Sequence, residues 1–109
     1  MVERTIELDT IFASLADPTR RDILARVARG ELSVGDIAAE YDISFAAISK
    51  HLNVLASAKL VVKRREGKKQ MVSLSPEALH SADEYLEQYR QLWGQKFNKL
   101  DELLKGDES

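Results

Sequence analysis

Ser44-Phe45-Ala46-Ala47-Ile48-Ser49-Lys50-His51-Leu52-Asn53-Val54-Leu55 begins with a residue able to cap a helix and continues at a helical period. At 100° per residue Ile48, Leu52 and Leu55 share one face, and Ala46, Ser49, Lys50, Asn53 and Ser57 share the other. The first face is apolar and demands a core. The second is small and polar, so the helix backbone can come close to whatever lies outside it. An amphipathic surface helix with no ligand has the same pattern, so the flanking sequence has to separate the two readings.

Immediately upstream, Ser33-Val34-Gly35-Asp36 has the spacing of a capping box ahead of Ile37, Ala38 and Tyr41. The link Tyr41-Asp42-Ile43 is short enough that the two helices form a helix-turn-helix over residues 33–58. Farther upstream, Leu8, Ile11, Phe12 and Leu15 predict a first helix over 8–16 that stops at Ala16-Asp17-Pro18. Asp17 caps the next helix with Pro18 at its first position. Ile23, Leu24 and Val27 carry that helix over about 18–29, to Gly30.

Downstream the period becomes extended. Val61–Glu66 and Lys69–Leu74 flank Gly67-Lys68 and predict a β-hairpin within 60–74. Alternation sends Val62 and Arg64 to one face and Lys63 and Arg65 to the other. Ser75-Pro76-Glu77 then opens a long helix, 76–104, in which Leu79, Ala82, Leu86, Tyr89, Trp93, Phe97, Leu100 and Leu104 recur at three or four residues. At about 1.5 Å per residue this helix is some 40 Å long, more than a small core can cover, so part of its stripe calls for a second copy. Gly94 inside it costs about 1 kcal/mol against alanine, which a closely passing backbone would explain. The tail Gly106-Asp107-Glu108-Ser109 is expected to fray.

The whole chain of 109 residues has the length and 44% hydrophobic content of one globular domain, 1–109, small enough to gain from a partner surface. It contains no cysteine, which excludes disulfides, thiolate metal sites and thiol redox chemistry. No apolar run approaches a membrane span, and charges in Met1–Glu7 do not suit a signal peptide, so a cytoplasmic location is expected. The net charge of −2 conceals a strong segregation. Residues 1–43 carry 5 basic and 9 acidic side chains, 44–70 carry 7 and 1, and 71–109 carry 4 and 8. A basic island in an acidic chain is an electrostatic footprint for a polyanion, although a solvated lysine-rich surface or a protected sheet edge would look the same.

Catalytic constellations are absent. His51 and His80 have no triad context, and there is no phosphate loop, dinucleotide fingerprint or paired-histidine metal spacing. His80 with Asp83 and Glu84 could ligate a metal across a dimer, but such spacings usually mark a solvated face. No enzyme and no cofactor are expected. The residues suited to a DNA duplex are Ser44, Phe45, Ala46, Ala47, Ser49, Lys50, His51 and Asn53 of the fourth helix, with Arg65, Lys68, Lys69 and Gln70 of the hairpin. Arg20 and Arg21 are secondary phosphate candidates. Phe45 could instead staple the helix start, and His51 could be a partly buried neighbour of Leu55.

The order helix, helix, helix-turn-helix, basic hairpin, long helix is that of a winged helix. Phe12-Ala13-Ser14-Leu15-Ala16-Asp17-Pro18-Thr19-Arg20-Arg21, Gly30–Ala38, Ser44–Leu55 and Leu60–Lys68 together resemble the ArsR/SmtB family of dimeric bacterial transcriptional repressors. The resemblance covers about residues 8–104. It implies a mainly α homodimer with a small β-hairpin, held by its first and last helices through Leu8, Ile11, Phe12, Leu15, Leu79, Ala82, Leu86, Tyr89, Trp93, Phe97 and Leu100. Two recognition helices would then face a palindromic operator in double-stranded DNA, with half-sites roughly 34 Å apart. The family's metal sensors carry two cysteines where Ser33 and Gly35 stand here. Others use Asp and His along the last helix, where this chain offers a single histidine, His80, so the likeness is to the branch without an evident metal site. A winged-helix module binding an acidic protein, or an effector-gated sensor of unknown inducer, would share these features.

Overall fold

A computed structural model describes residues 2–106, with side chains for residues 7–105. The expectation for the tail after Gly106 lies outside the described residues. Five helices and three strands follow in the order α1 (Val2–Ser14), α2 (Pro18–Ala28), β1 (Leu32–Ser33), α3 (Val34–Ala38), α4 (Phe45–Ser57), β2 (Val61–Glu66), β3 (Lys69–Leu74) and α5 (Pro76–Gly106). Two compact units divide the chain after Leu79.

Residues up to Leu79 form the first unit. Its core is Ile11, Ile23, Val27, Ile37, Ile48, Leu52, Leu55, Leu60 and Val72, all nearly inaccessible. Helix α4 touches α1, α2, α3 and β2, so Ile48, Leu52 and Leu55 are enclosed from several sides. The starts of α2, α3 and α4 use the caps that the sequence offers. Asp17 accepts from the Arg20 N–H at 2.9 Å, Ser33 from Asp36 N–H at 3.1 Å, and Ser44 from Ala47 N–H at 3.1 Å.

The sheet has the strand order β1-β3-β2, antiparallel throughout. Beyond the expected hairpin it gains β1, whose Leu32 and Ser33 pair with Val72 and Met71. Two residues are too few to show a strand period, and they gain ladder hydrogen bonds only because β3 lies alongside. Gly67, at φ +62°, supplies the positive φ that a two-residue hairpin turn needs at its first position.

The end of α4 is closed without glycine. Leu60 N–H donates to Leu55 C=O at 3.0 Å and Lys59 N–H to Ala56 C=O at 3.0 Å, the paired bonds of a Schellman cap, with Leu55 and Leu60 both buried. Lys59 sits at the left-handed position with φ 61°, where a Cβ costs about 1–2 kcal/mol.

The second unit, His80–Ser109, is described here up to Gly106 and consists of the remainder of α5. Leu86, Tyr89, Leu92, Trp93, Phe97, Leu100, Leu103 and Leu104 are 43–64% exposed, an apolar stripe open along most of this segment. Nothing in the described chain lies within 4 Å of where a Cβ on Gly94 would stand.

Replacing Lys59 by glycine should raise stability by about 1 kcal/mol, since the cap keeps its bonds and loses its strained Cβ. Urea unfolding checks this; an unchanged or lower midpoint would contradict the left-handed assignment.

Candidate nucleic-acid interface

The outward face of α4 is set by the burial of its inner face. Ser44, Phe45, Ala46, Lys50 and Asn53 are exposed, while Ala47, Ser49 and His51 are half-buried at its flanks. In the hairpin Arg65, Lys68, Lys69 and Gln70 are exposed, because both faces of the ribbon are open near its turn.

The candidates fall into two groups on either side of α4. Phe45 and Ser49 face Lys68, Lys69 and Gln70 across an open cleft of about 450 Å³. Asp36, at the start of α3, lines it as well. From the sequence Asp36 reads only as part of a cap, and its spacing gives no signal of a place in the cleft. On the other flank, Lys50 and Asn53 border a depression with Ala13, Arg20 and Val54.

Not every cation is available to a ligand. Arg64 Nη2 pairs with Glu31 Oε1 at 2.6 Å and with Glu66 Oε2 at 3.1 Å. Lys63 Nζ donates to Asn53 Oδ1, which ties the hairpin to α4. Among the described residues, Lys50, Arg65, Lys68 and Lys69 have no carboxylate within ion-pairing distance.

Arg20 and Arg21 have work inside the fold. Arg20 Nε donates to Ser14 C=O at 2.6 Å and its Nη2 to Ala13 C=O at 3.2 Å, while Arg21 Nη1 donates to Leu15 C=O at 2.8 Å. These carbonyls lie at the end of α1, where Ala13 C=O also accepts from Ala16 N–H at 3.2 Å, and the two cations face the negative end of the helix dipole. His51 Nδ1 lies 3.4 Å from Arg20 Nη1 and 3.9 Å from Asp17 Oδ2, so it faces the α1–α2 corner. The Arg20 backbone N–H, followed by the nearby His51 and Arg20 charges, holds the Asp17 carboxyl below its ordinary value near 3.8 against the opposing effect of burial.

A second polar cluster anchors the turn between α3 and α4. Tyr41 Oη donates to Asp22 Oδ2 at 2.5 Å, and the Arg26 guanidinium lies over the Tyr41 ring and pairs with Asp22 at 3.1 Å and Glu40 at 3.5 Å. The Tyr41 and Arg26 hydrogen bonds lower the Asp22 pKa. The helix-turn-helix is thereby tied to α2.

Of the residues assigned to self-association, Ile11 is 3% exposed and belongs to the core of the first unit, and Leu8, Phe12, Leu15 and Leu79 are half-buried. Ala82 is buried, whereas Leu86, Tyr89, Trp93, Phe97 and Leu100 are open. His80 Nε2 pairs with Glu84 Oε1 at 3.0 Å, and Asp83 pairs with Arg90. Among the described residues, no group of three or more His, Asp or Glu is arranged to hold a metal ion. No helix among them is long and apolar enough to cross a membrane.

A helix-turn-helix domain model matches residues 15–64. The HTH-type transcriptional regulator Rv2034 of Mycobacterium tuberculosis is 42% identical over 65% of this chain and 66% of that protein. The transcriptional repressor SdpR of Bacillus subtilis is 36% identical over 69% of this chain and 83% of the repressor. The chain belongs to the ArsR/SmtB family of winged helix-turn-helix transcriptional regulators. Among solved structures, the homodimeric winged helix-turn-helix DNA-binding domain of a Mycobacterium bovis protein superposes with a TM-score of 0.61 at 28% identity, covering 84% of this chain and 83% of that one. In family terms α3 and α4 are the helix-turn-helix and β2–β3 the wing.

Asn in place of Asp17 keeps a capping oxygen and removes the charge. A carboxyl with a lowered folded-state pKa stabilises above its unfolded value and ceases to do so as pH falls through the folded one. The wild-type protein should therefore exceed Asp17→Asn in stability at pH 7, with the gap closing below about pH 3.8. Urea unfolding across pH checks this, and a gap independent of pH would contradict it.

Proposed function

We propose that this protein is a homodimeric repressor that acts by occupying operator DNA in the cytoplasm, without catalysis. One observation carries the reading most of the way. Among the described residues, Lys50 on α4 and Arg65, Lys68 and Lys69 on the wing lack acidic partners, whereas neighbouring Lys63 and Arg64 are engaged within the fold. Cations without partners around an exposed helix of small residues suit a polyphosphate ligand.

In this reading α4 enters the major groove, where Ala46, Ala47, Ser49 and Lys50 set base preference and Ser44 donates to a phosphate. The wing cations and Gln70 hold the adjoining backbone. Arg64 is a positioning residue, pinning the wing to Glu31 ahead of β1. The open α5 stripe, with Leu86, Tyr89, Trp93, Phe97 and Leu100, seats a second copy together with the exposed parts of α1. Burial of large apolar side chains stabilises such an interface by about 25 cal/mol per Å² of surface removed from water. Two-fold symmetry places two α4 helices on a palindromic site.

Each lysine on a phosphate contributes about 0.9 to the slope of log affinity against log salt, so Lys68→Ala with Lys69→Ala in both protomers should reduce the slope by about 3.6. Affinity should fall on every sequence alike. Fluorescence anisotropy over a salt series measures this, and an unaltered slope would take the wing off the backbone.

Leu86→Glu with Trp93→Glu should give monomers in sedimentation and abolish tight operator binding. A folded monomer that retained wild-type affinity would refute the dimer.

A further inference from the structure

Phe45 is unexplained by the fold. It is the first residue of α4 and 60% exposed, although its neighbours on the outward face, Ser44, Ala46 and Ser49, are small. A hydrophobic staple does not account for it, because a staple pairs the residue before the cap with the fourth helical residue. Those positions are held by Ile43 and Ile48. Helix propensity does not account for it either, since an aromatic side chain is a poorer helix former than alanine or glutamate.

Its surroundings are specific in chemistry. The ring borders the cleft whose other wall carries Lys68 and Lys69, which among the described residues have no carboxylate within ion-pairing distance; Asp36 is the one acid in the lining, so cations outnumber it two to one. An occupant complementary to both walls needs an anion on the wing side and a small apolar group on the α4 side. Duplex DNA offers that pair. Its backbone supplies the phosphate, and the C5-methyl of thymine is the apolar group that base pairs display in the major groove.

We propose that Phe45 is a specificity-determining residue that packs on a thymine C5-methyl while Lys68 and Lys69 hold the phosphate backbone beside it. This rests on the reading of α4 as the groove-facing helix and adds to it one base and one atom. A phenyl ring has no hydrogen-bonding group, so it selects the methyl itself and discriminates against cytosine and uracil by its absence. In a symmetric dimer the same thymine recurs in each half-site.

The test uses a duplex selected in vitro by the full-length wild-type protein. Each thymine is replaced in turn, at symmetry-related positions, by deoxyuridine, which lacks only the methyl. At one such position the wild-type protein should bind about fourfold more weakly for one half-site and about fifteenfold for both, the factor expected for burying one methyl-sized group at each. Phe45→Ala should bind the thymine duplex more weakly and be indifferent to the exchange, while Phe45→Leu should keep part of the effect. Lys68→Ala with Lys69→Ala should weaken both duplexes and leave their ratio intact. The inference is overturned if no thymine position shows the loss, or if Phe45→Ala shows the same loss as wild type. Sequence-selective binding with no methyl dependence would sink this inference alone. Failure to select any duplex would sink the DNA reading as well.

Discussion

The enclosure of Ile48, Leu52 and Leu55 is the constraint on which the candidate interface depends. Packing by α1, α2, α3 and β2 fixes the rotation of α4 about its own axis, because turning it by one residue would expose leucines and an isoleucine and bury Asn53 or His51. Once that rotation is fixed, the identity of the outward side chains follows from the sequence. The caps at Ser44 and Lys59 fix where the helix begins and ends, so both its phase and its extent are determined.

Charge then divides the basic segment into two kinds of cation. Arg64 and Lys63 serve the fold by joining the hairpin to Glu31 and to Asn53, which limits how far a two-strand ribbon can swing. Lys68 and Lys69 at the turn have no acidic partner among the described residues. Exposed ion pairs contribute little stability, so the value of the Arg64 contacts lies in placing the turn rather than in holding the core.

Much of this was legible along the chain. Asp17, Ser33 and Ser44 cap helices at the positions their local pattern indicated, and the hairpin ends where its alternation ends. Helix α1 extends farther toward the amino terminus than its apolar spacing shows, since Glu3, Arg4 and Glu7 interrupt the stripe without interrupting the helix. What could not be read is long-range. Leu32-Ser33 becomes a strand because β3 lies beside it, and Arg20 and Arg21 reach back to the last carbonyls of α1, a use no spacing rule reveals. Lys59 occupies a position that usually signals itself with glycine, so the stop of α4 had no local marker.

The two faces of α4 also differ in what selection can do with them. Substitution at Ala46 or Lys50, both exposed, leaves the packed layer untouched, so the chemistry of the outward face can diverge between descendants of one ancestor while foldedness is inherited unchanged. A scaffold with that separation can be duplicated and retargeted by a handful of codon changes.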